Sequence, residues 1–230
     1  ISSQSREGQF IHIKCDGFTL RRPISICDFD KKSGSLRIVF AVRGQGTDWL
    51  AKRNVGDKLD IMGPLGNGFD ILEKDKKAIL IGGGIGVPPM LSISKHFGEN
   101  ATAIIGFRNK DLIILDKDFE NNGTKTIITT DDGSFGIHGF VTDALKAQIA
   151  KEKPDIIYAC GPTPMLKGIG EIAIANGIRC QVSLEERMGC GVGACLACAC
   201  KTKDDAGHET YKHVCKDGPV FEAREVVYGG

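Results

Sequence analysis

The sequence of 230 residues lacks several features that would place it in a broad class at once. Its 30 Lys and Arg nearly balance 29 Asp and Glu, so a formal net charge of +1 gives no general field to attract nucleic acid or an anionic membrane. No apolar run approaches the roughly 20 residues that span a bilayer, and the start, at Ile1 rather than Met, shows no signal peptide. Internal repeats and long low-complexity linkers are also missing. The 41% apolar and 26% charged fractions therefore predict a soluble globular protein of one to two domains.

Cysteine is the residue type that the chain has in excess. Five of its nine cysteines fall between Cys190 and Cys215. An even, dispersed set would favour secreted disulfides, whereas an odd number with tight clustering favours a reduced compartment and a metal or iron–sulfur site. We therefore expect a cytoplasmic protein whose C-terminal segment binds a metal group.

Residues 1–70 are predicted to form β structure. Short runs rich in Ile, Val and Phe are separated by Gly, Asp and Lys, a pattern typical of a barrel or sandwich. The predicted strands are Phe10–Lys14, Pro23–Phe29, Leu36–Val42 and Lys58–Met62, with a helical turn at Asp48–Lys52.

Residues 71–184 show alternating strand and helix patterns, which predict a parallel, doubly wound sheet covered on both faces. The predicted strands are Ala78–Ile81, Thr102–Phe107, Lys125–Thr130, Ile156–Ala159 and Arg179–Leu184, and the predicted helices are Pro88–Phe97, Val141–Ile149 and Pro164–Asn176. Such a sheet binds its ligand beyond the carboxyl ends of the strands. Residues 185–230 are rich in Gly and Cys and then polar, so something other than a hydrophobic core must order them.

Two glycine-containing turns are candidates for nucleotide binding. The segment Gly82–Gly86 follows a strand and precedes a helix, where exposed backbone N–H groups favour a pyrophosphate. Its spacing is not the usual dinucleotide fingerprint and no acidic residue follows about 20 positions later, so a plain tight turn stays the alternative. Cys160–Pro162 also follows a strand and opens a helix, at the same predicted edge of the sheet.

A strand in the first module carries Arg22 and Ser25, three residues apart. Arginine suits bidentate phosphate recognition, and a serine hydroxyl can bind a polar ring atom of a flavin. Gly46 and Thr47 offer a second backbone-plus-hydroxyl pair. The alternatives are a solvated strand surface and a helix cap.

The most specific pattern is C-x4-C-x2-C at Cys190, Cys195 and Cys198, followed by Cys215. This is the plant-type [2Fe–2S] spacing. Zinc is the alternative, because Cys195 and Cys198 with His208 and His213 superficially match a two-cysteine, two-histidine site. That alternative leaves two cysteines unexplained. Cys200 falls outside the spacing and is interpreted as a non-ligand, and Cys15, Cys27 and Cys180 as core residues. His208 and His213 are interpreted as surface residues of a connecting hairpin.

The three modules in this order resemble the ferredoxin–NADP reductase superfamily, and most closely the electron-transfer subunits of class B (NAD-dependent) dihydroorotate dehydrogenase. The resemblance covers nearly the whole chain and is carried by these stretches: Arg22–Cys27, Gly46–Thr47, Gly63–Phe69, Gly82–Pro89, Cys160–Pro162, Glu186–Cys195 and Val214–Pro219. It implies a Greek-key FAD-binding β barrel at 1–70, an NAD-binding α/β domain at 71–184 and a [2Fe–2S] module at 185–230. The family's barrel has a further strand before Phe10, so here the chain is trimmed or the barrel incomplete.

The resemblance also implies site residues. FAD would be held by Arg22 at the pyrophosphate and Ser25 near the isoalloxazine, with Pro23 and Ile24 between them. Further FAD contacts would come from Val39, Phe40, Ala41, Gly46 and Thr47. NAD(H) would lie on Gly82, Gly84, Gly86, Cys160, Gly161 and Pro162. The cluster would be ligated by Cys190, Cys195, Cys198 and Cys215.

The implied function is electron conduction. In the resembling enzymes dihydroorotate reduces FMN in a separate catalytic subunit, and electrons then pass through [2Fe–2S] and FAD to NAD+, with two copies of each subunit. No residue of this chain is expected to act as a general acid or base. Two alternatives stay open: a flavin/iron–sulfur reductase subunit of a transhydrogenase or hydrogenase-type complex, and a zinc-binding interaction module. Arg108 and Lys110 could hold the 2′-phosphate of NADP, whereas the resemblance favours NAD.

Overall fold

The N-terminal part forms a four-stranded antiparallel sheet in the computed structural model, which describes residues 1–229. Its elements are β1 (Phe10–Ile13), β2 (Arg22–Asp30), β3 (Ser35–Ile38), helix α1 (Gln45–Ala51) and β4 (Ile61–Leu65). The strand order is β3-β2-β1-β4. Within residues 1–229 no ladder joins β3 to β4, so the barrel or sandwich that the sequence predicts is present as an open antiparallel sheet. Because β3 ends at Ile38, Val39–Ala41 follow this strand rather than lying on it, which corrects the predicted strand end at Val42.

The two faces of β1 have different neighbours. Ile11 and Ile13 pack with β2 and α1 in a small apolar cluster. Phe10 points the other way and belongs to a large cluster that includes Cys198 and Cys215. His12 shares the Phe10 face because alternate residues of a strand point to the same side. The outer face of β1 therefore abuts the C-terminal module.

The central part is a seven-stranded sheet with helices on both faces. Its elements are β5 (Ala78–Gly83), α2 (Pro88–Phe97), β6 (Ala101–Phe107), α3 (Asp116–Asn121), β7 (Lys125–Thr130), β8 (Ile137–His138), α4 (Val141–Lys151), β9 (Ile156–Cys160), α5 (Thr163–Ala175) and β10 (Arg179–Ser183). Successive residues of β5, Ile79 and Leu80, lie in two separate apolar clusters, one beneath α4 and α5 and the other beneath α2 and α3. This confirms the doubly wound sheet.

The seventh strand, β13 (Val220–Glu222), comes from the C-terminal part of the chain. The strand order is β13-β10-β9-β5-β6-β7-β8, and every pair except β10 with β13 is parallel. The chain runs outward from β5 through β6 and β7 and then returns to place β9 on the other side of β5. The order therefore reverses between β5 and β9, which is the point where open α/β sheets bind ligands.

The C-terminal part contains a hairpin and one strand that returns to the central sheet. Strands β11 (Ala199–Lys203) and β12 (Glu209–His213) pair antiparallel, and β13 (Val220–Glu222) pairs antiparallel with β10. The turn before β13 is tied to the N-terminal sheet, because the Asn67 amide donates to the carbonyls of Lys216 (3.1 Å) and Asp217 (3.0 Å). None of the helices among the described residues is both long and apolar enough to cross a bilayer.

Candidate functional site

The four cysteines of the C-x4-C-x2-C…C pattern lie together in two pairs. Cys190 lies beside Cys195 on the half-exposed side of the loop. Cys198 lies beside Cys215, and both are buried, with 1% and 2% of their surface exposed. The hairpin places the second pair, because Val214 donates its N–H to the Cys198 carbonyl. The fold thus brings the four predicted cysteines together, although Cys215 is far from the other three in sequence.

The loop between Cys190 and Cys195 directs backbone N–H groups at sulfur. Val192 and Ala194 donate to Cys190 Sγ at 3.4 and 3.2 Å, and Gly193 donates to Cys215 Sγ at 3.2 Å. Gly191 and Gly193 have φ of +75° and +80°, in the left-handed region that glycine adopts at least cost. The Val192 N–H is the main reason why the pKa of Cys190 falls to about 6. Amide donors aimed at sulfur suit a bound, negatively charged iron–sulfur group.

The zinc pattern of two cysteines and two histidines is not assembled. His208 lies at the turn of the hairpin with 82% of its side chain exposed, and its ring contacts Asp204 at 3.1 Å. Strand β12 separates it from His213 by about 16 Å of extended chain. Within residues 1–229 no three His, Cys, Asp or Glu side chains converge on one point as a single ion would require.

The other cysteines lie where the sequence analysis predicts. Cys15, Cys27 and Cys180 are buried core residues. Cys200 is buried on β11, packs in the large apolar cluster, and has a pKa raised by burial to about 11. His213, predicted as a surface group, is half-buried beside Asp217.

The two glycine-containing turns meet at the switch point between β5 and β9. A methyl group placed on Gly86 would lie 2.6 Å from the Cys160 carbonyl carbon and 2.7 Å from Gly161 Cα. A methyl group on Gly83 would lie 3.0 Å from Pro162 Cδ. Both turns thus need residues without a side chain to approach each other. Their backbone lies at the carboxyl edge of the sheet, next to the start of α2.

The thiol of Cys160 lies at this edge but is not a reactive group. Burial raises its pKa to about 12, a nearby Glu185 carboxylate acts in the same direction, and a hydrogen bond with Ser183 opposes them. The thiol is therefore neutral at physiological pH. Arg108, after β6, is exposed, and the Lys110 N–H donates to Ser134 Oγ at 2.9 Å.

The residues expected around a flavin lie on β2 and α1. The Arg22 guanidinium lies over Gly46, since a methyl group there would be 2.6 Å from Arg22 Cζ. Thr47 Oγ1 accepts the N–H groups of Arg43 (2.9 Å) and Gly44 (3.1 Å), so its hydroxyl caps α1. Ser25 pairs with Phe10 across the β1–β2 ladder and shares its face.

One residue at the junction of the N-terminal sheet and the cysteine loop has no role in the sequence analysis. His12 is fully buried, and a methyl group on Gly191 would lie 2.6 Å from its Nδ1. Burial and the Arg21 charge hold the pKa of His12 below its usual value. The only sequence signal is a polar residue within an apolar strand, which does not distinguish a buried position from an exposed one.

Comparison with known protein families gives two matches. A family model described as the iron–sulfur cluster binding domain of dihydroorotate dehydrogenase B matches residues 185–227. A second, described as an oxidoreductase NAD-binding domain, matches residues 80–171. The first covers all four paired cysteines, and the second covers both turns at the switch point.

Full-length relatives agree with these domains. The chain is 44% identical over 223 residues to the electron transfer subunit of dihydroorotate dehydrogenase B (NAD(+)) from Caldanaerobacter subterraneus subsp. tengcongensis, covering 96% of this chain and 87% of the relative. It is also 44% identical over 236 residues to the subunit of the same name from Geobacillus thermodenitrificans, covering 99% and 89%.

Solved structures give the same fold. A structure of an NADH-dependent reduced ferredoxin-NADP oxidoreductase, studied for flavin-based electron bifurcation, superposes with a TM-score of 0.86 at 34% identity, covering 99% of this chain and 82% of that one. A ferredoxin reductase of carbazole 1,9a-dioxygenase superposes with a TM-score of 0.66 at 21% identity, covering 77% and 59%, and shares the fold.

Proposed function

Because the chain belongs to the family of electron-transfer subunits of NAD-dependent dihydroorotate dehydrogenase B, we propose that it passes electrons from the FMN of a dihydroorotate-oxidising catalytic subunit through a [2Fe–2S] cluster and FAD to NAD+. The observation that carries the proposal is the grouping of four thiols as two pairs in the C-terminal module. Three backbone N–H groups are directed at their sulfurs. In this assignment residues 1–70 hold the flavin, 71–184 the nicotinamide and 185–230 the cluster, with β13 returning to the central sheet.

The arrangement of the four thiols supports a [2Fe–2S] cluster. A [2Fe–2S] cluster takes two thiolates at each iron, so Cys190 with Cys195 and Cys198 with Cys215 supply the complete set. Cys200 lies on β11 opposite Lys212 of β12, outside the two thiol pairs, and is not needed. The amide donors around Cys190 stabilise the negative charge that thiolate ligation brings.

The flavin would lie on the N-terminal sheet at its junction with the other modules. Arg22, held over Gly46, supplies a guanidinium for the pyrophosphate of FAD, and Ser25 supplies a hydroxyl on the face that looks toward the cysteine loop. The remaining contacts are assigned to Pro23, Ile24, Val39, Phe40, Ala41 and Thr47. When bound, a flavin exchanges a hydride with nicotinamide and single electrons with an iron–sulfur group.

The nicotinamide nucleotide would lie across the switch point. Gly82, Gly84 and Gly86 present backbone at the start of α2, which favours a pyrophosphate. On the other side of the reversal lie Cys160, Gly161 and Pro162. The neutral, buried Cys160 thiol shapes this site without moving a proton, and no general acid or base is assigned.

A second candidate function has a specific observation in its favour. The structure of the NADH-dependent reduced ferredoxin-NADP oxidoreductase shares 34% identity and nearly the whole fold with this chain. A subunit of that kind of reductase would contain the same cofactor sites but receive its electrons from a different partner. The higher identity to the dihydroorotate dehydrogenase subunits, 44%, favours the first function.

The experiment that separates these functions begins with anaerobic purification and analysis of iron, sulfide and flavin. We expect two irons, two sulfides and one FAD per chain, with a flavin that NADH reduces. Co-expression with an FMN-containing dihydroorotate dehydrogenase subunit should yield a complex with two copies of each chain by native mass measurement. A colourless zinc protein would contradict the proposal, and failure to bind that subunit would favour the reductase. The nine thiols are consistent with the cytoplasm as its compartment.

A further inference from the structure

The interior contains one histidine whose ring has no hydrogen-bond partner. His12 has no exposed surface, and neither Nδ1 nor Nε2 has a hydrogen bond of good geometry among residues 1–229, although the backbone carbonyls of Arg21 and Cys190 lie beside the ring. Buried polar atoms almost always have a partner, because an unmade hydrogen bond in the interior costs free energy. Two unpaired ring nitrogens on one side chain therefore need an explanation.

The position of the His12 ring supplies an explanation for its unpaired nitrogens. Nδ1 lies so close to Gly191 that a methyl group there would be 2.6 Å away, and the Cys190 carbonyl is beside the ring. Gly191 precedes Val192, whose N–H donates to Cys190 Sγ. The imidazole thus lies against the segment that shapes the Cys190 end of the cysteine loop.

The backbone around His12 fixes this position. His12 lies between its ladder partners Pro23 on β2 and Met62 on β4. The Arg21 guanidinium donates to the His12 carbonyl at 3.4 Å and to Asp60 Oδ1 at 2.9 Å. A side chain held on a central strand cannot move away from the loop to find water.

We propose that His12 is a positioning residue for the iron–sulfur group. When the group is bound, the His12 Nδ1–H donates to the backbone carbonyl oxygen of Cys190. The inference rests on the proposed function. A donor at this place draws charge from the Cys190 side of the cluster, as outer-shell hydrogen bonds do at metal centres. It stabilises the reduced, more negative form, so the reduction potential is higher with His12 than without it.

The test uses three variants in the holoprotein. His12→Leu removes the donor and keeps an apolar side chain, whereas His12→Asn keeps an N–H near the position of Nδ1. Ile11→Val is the matched control, because it changes the neighbouring side chain on the opposite face of β1. The readouts are the iron content, the electron paramagnetic resonance spectrum of the reduced cluster, and its midpoint potential.

We expect His12→Leu to shift the reduction equilibrium about tenfold toward the oxidised cluster. For a one-electron couple this lowers the midpoint potential by about 59 mV. His12→Asn and Ile11→Val should stay within about threefold of the unsubstituted protein. Loss of the cluster in His12→Leu with retention in His12→Asn also supports a donor role.

Three results would overturn the proposal: an unchanged potential in His12→Leu, an equal shift in both His12 variants, or loss of the cluster in both. Absence of any cluster from the unsubstituted protein would instead refute the proposed function, so the two failures are distinguishable.

Discussion

Replacing Gly86 by alanine should force apart the two turns that meet at the switch point of the central sheet. The new methyl group would lie 2.6 Å from the Cys160 carbonyl carbon and 2.7 Å from Gly161 Cα. Ordinary contact at such atoms begins near 3.4 Å. Both neighbours are backbone, so the clash cannot be relieved by turning a flexible side chain, and one turn must shift by about 1 Å.

A shift of this size should appear mainly in the reaction with NADH. A misplacement of about 1 Å costs on the order of 100-fold in rate, or roughly 2.7 kcal/mol of transition-state stabilisation. Overpacking adds a loss of folding free energy of about 1–3 kcal/mol. The assay is stopped-flow reduction of the bound flavin by NADH, from which kcat/KM is obtained, with thermal unfolding measured in parallel.

Gly177→Ala is the control at the opposite edge of the central sheet, between α5 and β10. An added methyl group on Gly177 would meet only Lys153 Nζ, at 3.9 Å, so mainly its φ of +58° opposes alanine, at about 1–2 kcal/mol. We expect this variant to lose stability but to stay within about fivefold of the unsubstituted rate. If Gly86→Ala reduces flavin as fast as Gly177→Ala, with full FAD content in both, the nucleotide does not depend on the contact between the turns and the assignment is wrong.

Three further predictions concern the other parts of the site. Cys190→Ser should lose most of the bound iron while Cys200→Ser keeps it, because Cys190 accepts two N–H groups of the loop whereas Cys200 lies on β11 outside the two thiol pairs. Iron and sulfide analysis decides, and equal loss in both would contradict the ligand set. Arg22→Ala should raise the dissociation constant of FAD about 10- to 100-fold, as expected for a charged hydrogen bond, whereas an unchanged value in a fluorescence titration would remove Arg22 from the flavin site. Because burial raises the Cys160 pKa to about 12, its thiolate should form only as the pH approaches that value. The pH profile of flavin reduction should therefore be the same from about pH 6 to 9 in the unsubstituted protein and Cys160→Ser, and an alkaline limb present only with Cys160 would refute a neutral thiol.

Local patterns predicted much of the fold. Helix α2 and strand β7 have the bounds that the sequence predicts, Pro88–Phe97 and Lys125–Thr130, because a proline-initiated helix and an isolated apolar run are local signals. The end of β3 was predicted too late. Val39 and Phe40 have strand-forming side chains, but the β2–β3 ladder ends at the Ile26–Ile38 pair, and a strand needs its partner.

The candidate site also has a part that the sequence predicts and a part that it does not. The cysteine spacing predicts that Cys190, Cys195 and Cys198 are neighbours because they lie on one loop, whereas the hairpin of β11 and β12 brings Cys215 beside Cys198. His12 could not be predicted, since its burial depends on a loop that lies about 180 residues further along the chain and packs against β1. Strand β13 was missed for the same reason: Val220–Glu222 is too short to show a pattern, and only its pairing with β10 makes it a strand.

Electron conduction between a dihydroorotate-oxidising partner and NAD+ is the proposed role of this chain. Its most direct test is anaerobic addition of dihydroorotate to the complex of this chain with the FMN-containing subunit, followed by NAD+, while flavin, cluster and NADH absorption are recorded. We predict that the cluster and flavin of this chain become reduced by dihydroorotate and that NADH then forms, and that neither occurs when either chain is omitted. NADH formation by the partner alone, or a complex in which dihydroorotate leaves this chain oxidised, would contradict the account.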